Sequence, residues 1–140
     1  MGMTQSIKKV NYQDVQYVVK NSNYILLNTI NKNEQKVLIQ GTTPCNNEEE
    51  VINTHINNPT NIHIIIYDKN ACENRPIEKY DQLMKLGFPN IYIYPGGLFE
   101  WLLLQDIYGS DNFPTTSQER DILNYKGLSI FNVFKIRDKL

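Results

Sequence analysis

The chain reads as an α/β domain: a mainly parallel central sheet flanked by helices, followed by a C-terminal extension. Three observations predict this. The short apolar runs at residues 24–27, 62–67 and 91–94 are continuous rather than alternating, as in strands buried on both faces. Segments with apolar residues at helical spacing lie between them. Finally, Tyr94-Pro95-Gly96-Gly97 joins the last run to an apolar stretch carrying Trp101. That is a strand, a tight turn and a helix, with glycine supplying the φ > 0 freedom of the turn and Trp101 the buried area beside it.

The elements follow in order. Residues 14–19 place Val15, Val18 and Val19 at helical spacing, and Asn11 stands where a cap belongs. Residues 24–27 form a buried strand. Val37-Leu38-Ile39 reads as another, closed by Gly41. Asn46 followed by Glu49 is a capping-box variant, opening a helix that carries Val51, Ile52 and Ile56. Residues 62–67, β-branched or aromatic at most positions, give the strongest strand signal. Pro76 suits a first helical turn. Ile77, Tyr80, Leu83 and Met84 then form one face, and Gly87 stops the helix.

After the strand at 91–94, the Trp101 helix is apolar nearly all round: Leu98, Phe99, Leu102, Leu103, Leu104, Ile107 and Tyr108 accompany the tryptophan. A helix like this needs cover on both sides. The sheet supplies one side and the C-terminal tail the other, or else the surface is offered to a protein partner or a second copy of the chain. Residues 109–117 form a loop by composition. The tail from Leu123, with Leu128, Ile130, Phe131, Val133, Phe134 and Ile136, fits a helix or a strand equally. The expected division is a domain at 1–108 and a loop and extension at 109–140 packing on it.

The 140 residues suffice for one domain, and the net charge of −1 with mixed signs gives no nucleic-acid footprint. The longest apolar stretch, 98–104, is far too short to span a bilayer, and no basic block marks a membrane surface. Cys45 and Cys72, with no signal-type apolar segment at the N-terminus, are expected as free thiols in a reducing compartment. A cytoplasmic location follows, or the host cytoplasm or virion for a viral protein. His55 and His63 lack zinc-type spacing, so no metal and no cofactor are expected.

In open α/β sheets, ligands bind beyond the carboxyl ends of the strands. The loop of interest is therefore Asp68-Lys69-Asn70-Ala71-Cys72-Glu73-Asn74-Arg75, leading to the helix at Pro76. A loop wrapping a helix N-terminus gathers backbone N–H groups, which favour an anion such as a thiolate. Lys69 and Arg75 add positive charge. Cys72 is accordingly a candidate nucleophile or persulfide carrier, set against the plainer reading of a loop cysteine. A redox pair of Cys45 with Cys72 also stays open.

The Gly96-Gly97 turn, three residues and then Trp101 resemble the closing unit of rhodanese-like domains. Leu26-Leu27-Asn28, the Glu34…Ile39-Gln40-Gly41-Thr42 segment, and Lys85-Leu86-Gly87-Phe88 with Asn90-Ile91-Tyr92 extend the resemblance over residues 24–101. It implies a three-layer rhodanese-like fold, and either sulfur transfer on a loop cysteine or a binding role where that cysteine is lost. Residues 102–109 with Phe113-Pro114-Thr115-Thr116 resemble a divergent subset from protists and large DNA viruses.

The chain departs from the family pattern at its chemistry. The family's nucleophile directly follows the strand, and that place holds Asp68. The loop is about two residues longer than the usual one, and Cys72 comes four positions late. Asn28 and Ile30 stand where the family has Asp and Arg, and the family's His before Ile39 is absent. The phosphatase relatives' spacing of Cys and Arg is absent too, since Arg75 follows Cys72 by three. Two functions therefore compete. One is a non-catalytic binding or structural module. The other is a sulfurtransferase carrying its sulfur on Cys72, with the 70–75 amides stabilising the persulfide.

Overall fold

A computed structural model describes residues 6–131. Helix α1 (Tyr12–Val19) opens on a reciprocal cap: Asp14 N donates to Asn11 Oδ1 at 3.1 Å and Asn11 N to Asp14 Oδ2 at 3.0 Å. There follow β1 (Tyr24–Asn28), α2 (Glu48–His55), β2 (His63–Tyr67), α3 (Arg75–Lys85), β3 (Ile91–Ile93) and α4 (Gly97–Tyr108). Short 3₁₀ turns lie at Lys32–Glu34, Pro59–Asn61 and Ile122–Tyr125.

The three strands pair in parallel in the order β1-β2-β3, with Leu26 opposite Ile65 and Ile65 opposite Tyr92. Single bridges widen both edges, Leu26 to Thr42 beside β1 and Lys9 to Ile93 beside β3. Each strand buries both of its faces, which is why its sequence is continuously apolar. Val15 and Val18 of α1 and Leu98, Trp101 and Leu102 of α4 pack with Leu26, Ile65 and Tyr67 on one face. Ile52 of α2 and Tyr80 and Leu83 of α3 pack with Ile25, Leu27, Ile64 and Ile66 on the other. The layers are helix, sheet, helix, as the sequence predicts.

Three local expectations are corrected. Residues 37–39 are not a strand: Ile39 makes one antiparallel bridge to Thr115, flanked by Gln40 N to Pro114 O at 3.0 Å and Thr116 N to Leu38 O at 2.8 Å. The run is apolar because all three residues are buried, and the ladder stops after one rung. No capping box opens α2. The Pro44–Asn47 turn, closed by Asn47 N to Pro44 O at 2.9 Å, leaves Asn47 in the right-handed helical region, where its side chain caps nothing, and Ile56 lies past the helix. On α3, Ile77 is exposed and Pro76 takes the inward place beside Tyr80 and Leu83.

Among the described residues, the cover over α4 comes from the segment that follows it. The 109–117 loop supplies much of it: Phe113 meets the Trp101 ring edge-on at 5.0 Å, and Trp101 Nε1 donates to Pro114 O at 3.1 Å. The Ile122–Tyr125 turn packs on the same cluster. Leu103, Ile107 and Tyr108 remain exposed on the outer side, as do Leu128, Ile130 and Phe131 of the tail. Val133, Phe134 and Ile136 lie outside the described residues. Among the described residues, no helix is long and apolar enough to cross a membrane.

Candidate functional site

The loop between β2 and α3 is held by the Gly96-Gly97 turn. Gly97 has φ +66°, and its missing side chain lets α4 approach: a methyl there would lie 2.5 Å from the Asp68 carbonyl oxygen. The first amides of α4, without partners inside the helix, donate to the loop instead. Leu98 N reaches Asp68 O at 2.9 Å and Phe99 N reaches Lys69 O at 2.8 Å. Glu100 folds back over Gly96 and accepts from Tyr94 Oη at 2.7 Å.

Asp68, directly after β2, is buried at 1% exposure. Its carboxylate is fully engaged. Oδ1 accepts from Lys69 N at 2.7 Å and Arg75 Nη2 at 3.0 Å, and Oδ2 accepts from Arg75 Nε at 3.0 Å and Thr29 Oγ1 at 2.5 Å. The Arg75 fork thus grips the carboxylate through two bonds, the strong geometry for this pair. Arg75 Nη1 also donates to Asn31 Oδ1 at 2.8 Å, and Glu73 lies 3.5 Å from Nη2. Burial disfavours the Arg75 charge, but hydrogen bonding and attraction from Asp68, helped by Glu73 and Glu34, raise its pKa on balance.

Lys69 is likewise committed, pairing with Glu34. The hydrogen bond from Lys69 holds Glu34 below the usual carboxylate range, with the Lys69 and Arg75 charges assisting against desolvation. The cluster therefore sets two cations, Lys69 and Arg75, against three carboxylates, Glu34, Asp68 and Glu73. It has no surplus positive charge with which to draw an anionic donor.

The remaining candidate residues sit around this centre. Asn70 is buried; its Oδ1 accepts from Cys72 N at 2.8 Å and its Nδ2 donates to Tyr125 O at 2.9 Å. Cys72 is exposed, and its sulfur faces Gly127. Asn74 precedes α3, and its carbonyl accepts from Ile77 N at 3.1 Å. Ala71 joins Asp68, Asn70 and Glu73 on a cleft of about 510 Å³ with Ile7, Lys9 and Ile93. Cys72 does not line that cleft. Cys45 is half-buried and, like Cys72, a free thiol. Among the described residues, no three His, Cys, Asp or Glu side chains gather as metal ligands.

Two amides of the loop, those of Lys69 and Cys72, thus find side-chain acceptors from within it. The structure unites Asp68, Lys69 and Arg75 and sets Cys72 apart from them. Thr29, Asn31, Tyr125 and Gly127 were missed as parts of the site, and Glu34 entered only through the family pattern. Their separations in sequence are the reason: Thr29 is 39 residues from Asp68, and Asn70 is 55 from Tyr125. A buried-strand end reading Asn28-Thr29, polar after Leu26-Leu27, was the available signal.

Comparison with known proteins agrees with the fold. The family model of the rhodanese-like domain matches residues 10–104. The single-domain sulfurtransferase RDL2 of Saccharomyces cerevisiae is similar in structure, with a TM-score of 0.54 and 21% identity over 81% of this chain and all of that one. A structural-genomics target from Anabaena sp. gives a TM-score of 0.54 and 16% identity over 93% of this chain and 89% of its own. At such identities the likeness speaks for the fold. No curated protein sequence matches the chain.

Proposed function

The chain belongs to the rhodanese-like domain family, and from that premise we propose that it transfers no sulfur by the family's usual route and serves as a binding or structural module. One observation carries the reading. The place directly after β2 holds Asp68, whose carboxylate accepts four hydrogen bonds from inside the protein. A carboxylate there cannot take up sulfane sulfur as a thiolate does. It also puts negative charge where an anionic donor would have to sit, and uses up the cations that would attract one. A module must present surface, and the exposed Leu103, Ile107 and Tyr108 on α4 supply an apolar face for it.

The competing reading loads sulfur on Cys72. Its exposure speaks for access, but its amide is bonded to Asn70, and the basic residues three positions away on either side, Lys69 and Arg75, are bound to Glu34 and Asp68. The deciding experiment is intact mass after incubation with thiosulfate and, separately, with another sulfane donor. The natural chain is compared with Cys72→Ser and Cys45→Ser. The module reading expects no gain with any donor. A reducible gain of one sulfur, kept in Cys45→Ser and lost in Cys72→Ser, overturns it and makes the protein a persulfide carrier.

A further inference from the structure

A cleft of about 280 Å³ opens at the carboxyl end of β1, between the segment that follows this strand and the first turns of α2 and α3. It shares no wall residue with the cleft beside Asp68. Two independent features meet on its wall. The first is Asn28, which ends β1 and is buried at 5% exposure. Its Oδ1 accepts from Ile30 N at 3.1 Å, but its Nδ2 donates to no group among the described residues. A buried amide donor is ordinarily paired. Because Asn28 forms part of the cleft wall, the missing acceptor has to come from the cleft.

The second feature is Cys45. Thr43 N donates to Leu26 O at 2.8 Å and Asn47 N to Pro44 O at 2.9 Å, so the chain runs beside β1 and then turns. The turn leaves Cys45 half-buried on the wall of the same cleft, as a free thiol. Its sulfur contacts Asn46 Oδ1 at 3.8 Å, a long bond from a weak donor. A thiol and an unfilled donor therefore line one space.

The charges on the wall narrow the chemistry of what fits. Arg75 is given to Asp68 and Lys79 to Glu48. Lys32 and Glu78, one charge of each sign, have no ion partner among the described residues. A carboxylate suits Asn28 Nδ2 and Lys32, and an ammonium suits Glu78. The volume is below the roughly 300–1,000 Å³ that drug-sized ligands take. We propose that this cleft receives a small disulfide bearing an α-amino acid group, and that Cys45 exchanges with it to form a mixed disulfide. The Cys45 thiolate attacks one sulfur of the bound disulfide. That S–S bond breaks, and a new one joins Cys45 to the attacked half. The other half leaves as a thiolate and takes up the proton that Cys45 gave to solvent. The Cys45 sulfur is oxidised and the departing sulfur reduced, so no further oxidant is required. The site goes beyond the module reading and uses neither Asp68 nor Cys72.

The test uses the full chain, with Cys72 as its internal standard. Cys72 is exposed and by access alone would react first. The reduced protein is mixed with cystine or, separately, with hydroxyethyl disulfide, which is also without net charge but has no carboxylate or ammonium. Peptide mapping by mass gives the rate at each cysteine. With cystine, Cys45 is expected to lead Cys72 by on the order of tenfold. With hydroxyethyl disulfide, Cys72 is expected to lead. Asn28→Asp keeps the acceptor for Ile30 N, removes the donor, and is expected to abolish the lead of Cys45. Lys32→Glu, at an exposed position outside both core clusters, is expected to reduce it several-fold. A Cys72 lead with cystine overturns the proposal. So does an equal Cys45 lead with both disulfides, because the cleft then recognises no amino acid group. A lead that survives both variants undiminished overturns it as well. A sulfur gain on Cys72 in the mass experiment would remove the module reading and leave this result standing.

Discussion

The Gly96-Gly97 turn and the 68–75 loop touch through two backbone hydrogen bonds, yet they relate to their family in opposite ways. The turn keeps the family's pattern, and its task is steric: a left-handed Gly97 lets α4 donate to the Asp68 and Lys69 carbonyls. Those bonds read only main chain, so they hold any loop sequence in place. The loop does not keep the pattern. Where a thiolate would await an anion, an aspartate is already bonded to Arg75, Thr29 and Lys69 N. On the proposed reading, the scaffold and the chemistry of this fold are separable, and the Asp68–Arg75 salt bridge fills the seat of the reaction.

That contrast can be broken from the scaffold side first, where the effect is largest. Gly97→Ala forces a β-carbon into left-handed backbone and to within 2.5 Å of the Asp68 carbonyl oxygen. It is expected to cost about 3 kcal/mol in urea unfolding. A loss below about 1 kcal/mol would mean the turn is not what holds the loop. The chemistry side is next. Asp68→Asn keeps the shape but leaves the Arg75 fork facing an amide, and it is expected to cost about 2 kcal/mol, less than a fully buried pair because Arg75 is partly exposed. If stability rises instead, Asp68 is retained for some purpose other than filling the seat.

The smallest effects are those of pH. Glu119 is held below the usual carboxylate range by the Asp121 amide and by Lys36, and Glu34 by Lys69. Both groups contribute stability above the ordinary value of 4.5 that is lost as pH falls through their lower folded values. Tyr125 runs the other way: burial, with Glu119 alongside, pushes its phenol up to about 12. Its contribution is complete below 10.0 and fades as pH climbs through about 12. Protection of the Asn124 and Lys126 amides, corrected for the base-catalysed exchange of every free amide, is expected to fall on the alkaline side before that of Ile64. Simultaneous loss of both would tie the 122–125 turn to the global fold.

Much of the scaffold was legible in the sequence because its signals are local. The Asn11 cap, the three continuous strands, the Gly87 stop and the Gly-Gly turn each depend on neighbours within a few residues. The errors came where tertiary structure overrules a local pattern. Val37-Leu38-Ile39 is apolar like a strand but finds one rung at Thr115, and Asn46-Asn47 has cap-type residues in a turn that turns them away. At the site, Asp68 was visible as a departure, and its bond to Arg75 was not. The signs of the charges along a loop are plain in the sequence, but which of them meet is fixed only by the backbone. Tyr125 was hidden further still, since nothing near it announces that Asn70 lies beneath its carbonyl.

The chain has one tryptophan, and that residue sits where α4 meets the loop at 109–117. Trp101 is fully buried, with Tyr94 and Phe113 edge-on to its ring and its indole N–H on the Pro114 carbonyl. An indole so dry and so fixed emits at shorter wavelength than one in water. The protein therefore carries its own optical label at the seam between residues 97–108 and 109–117. Undocking of that segment would register as a red shift in the light of a single side chain, with no dye attached.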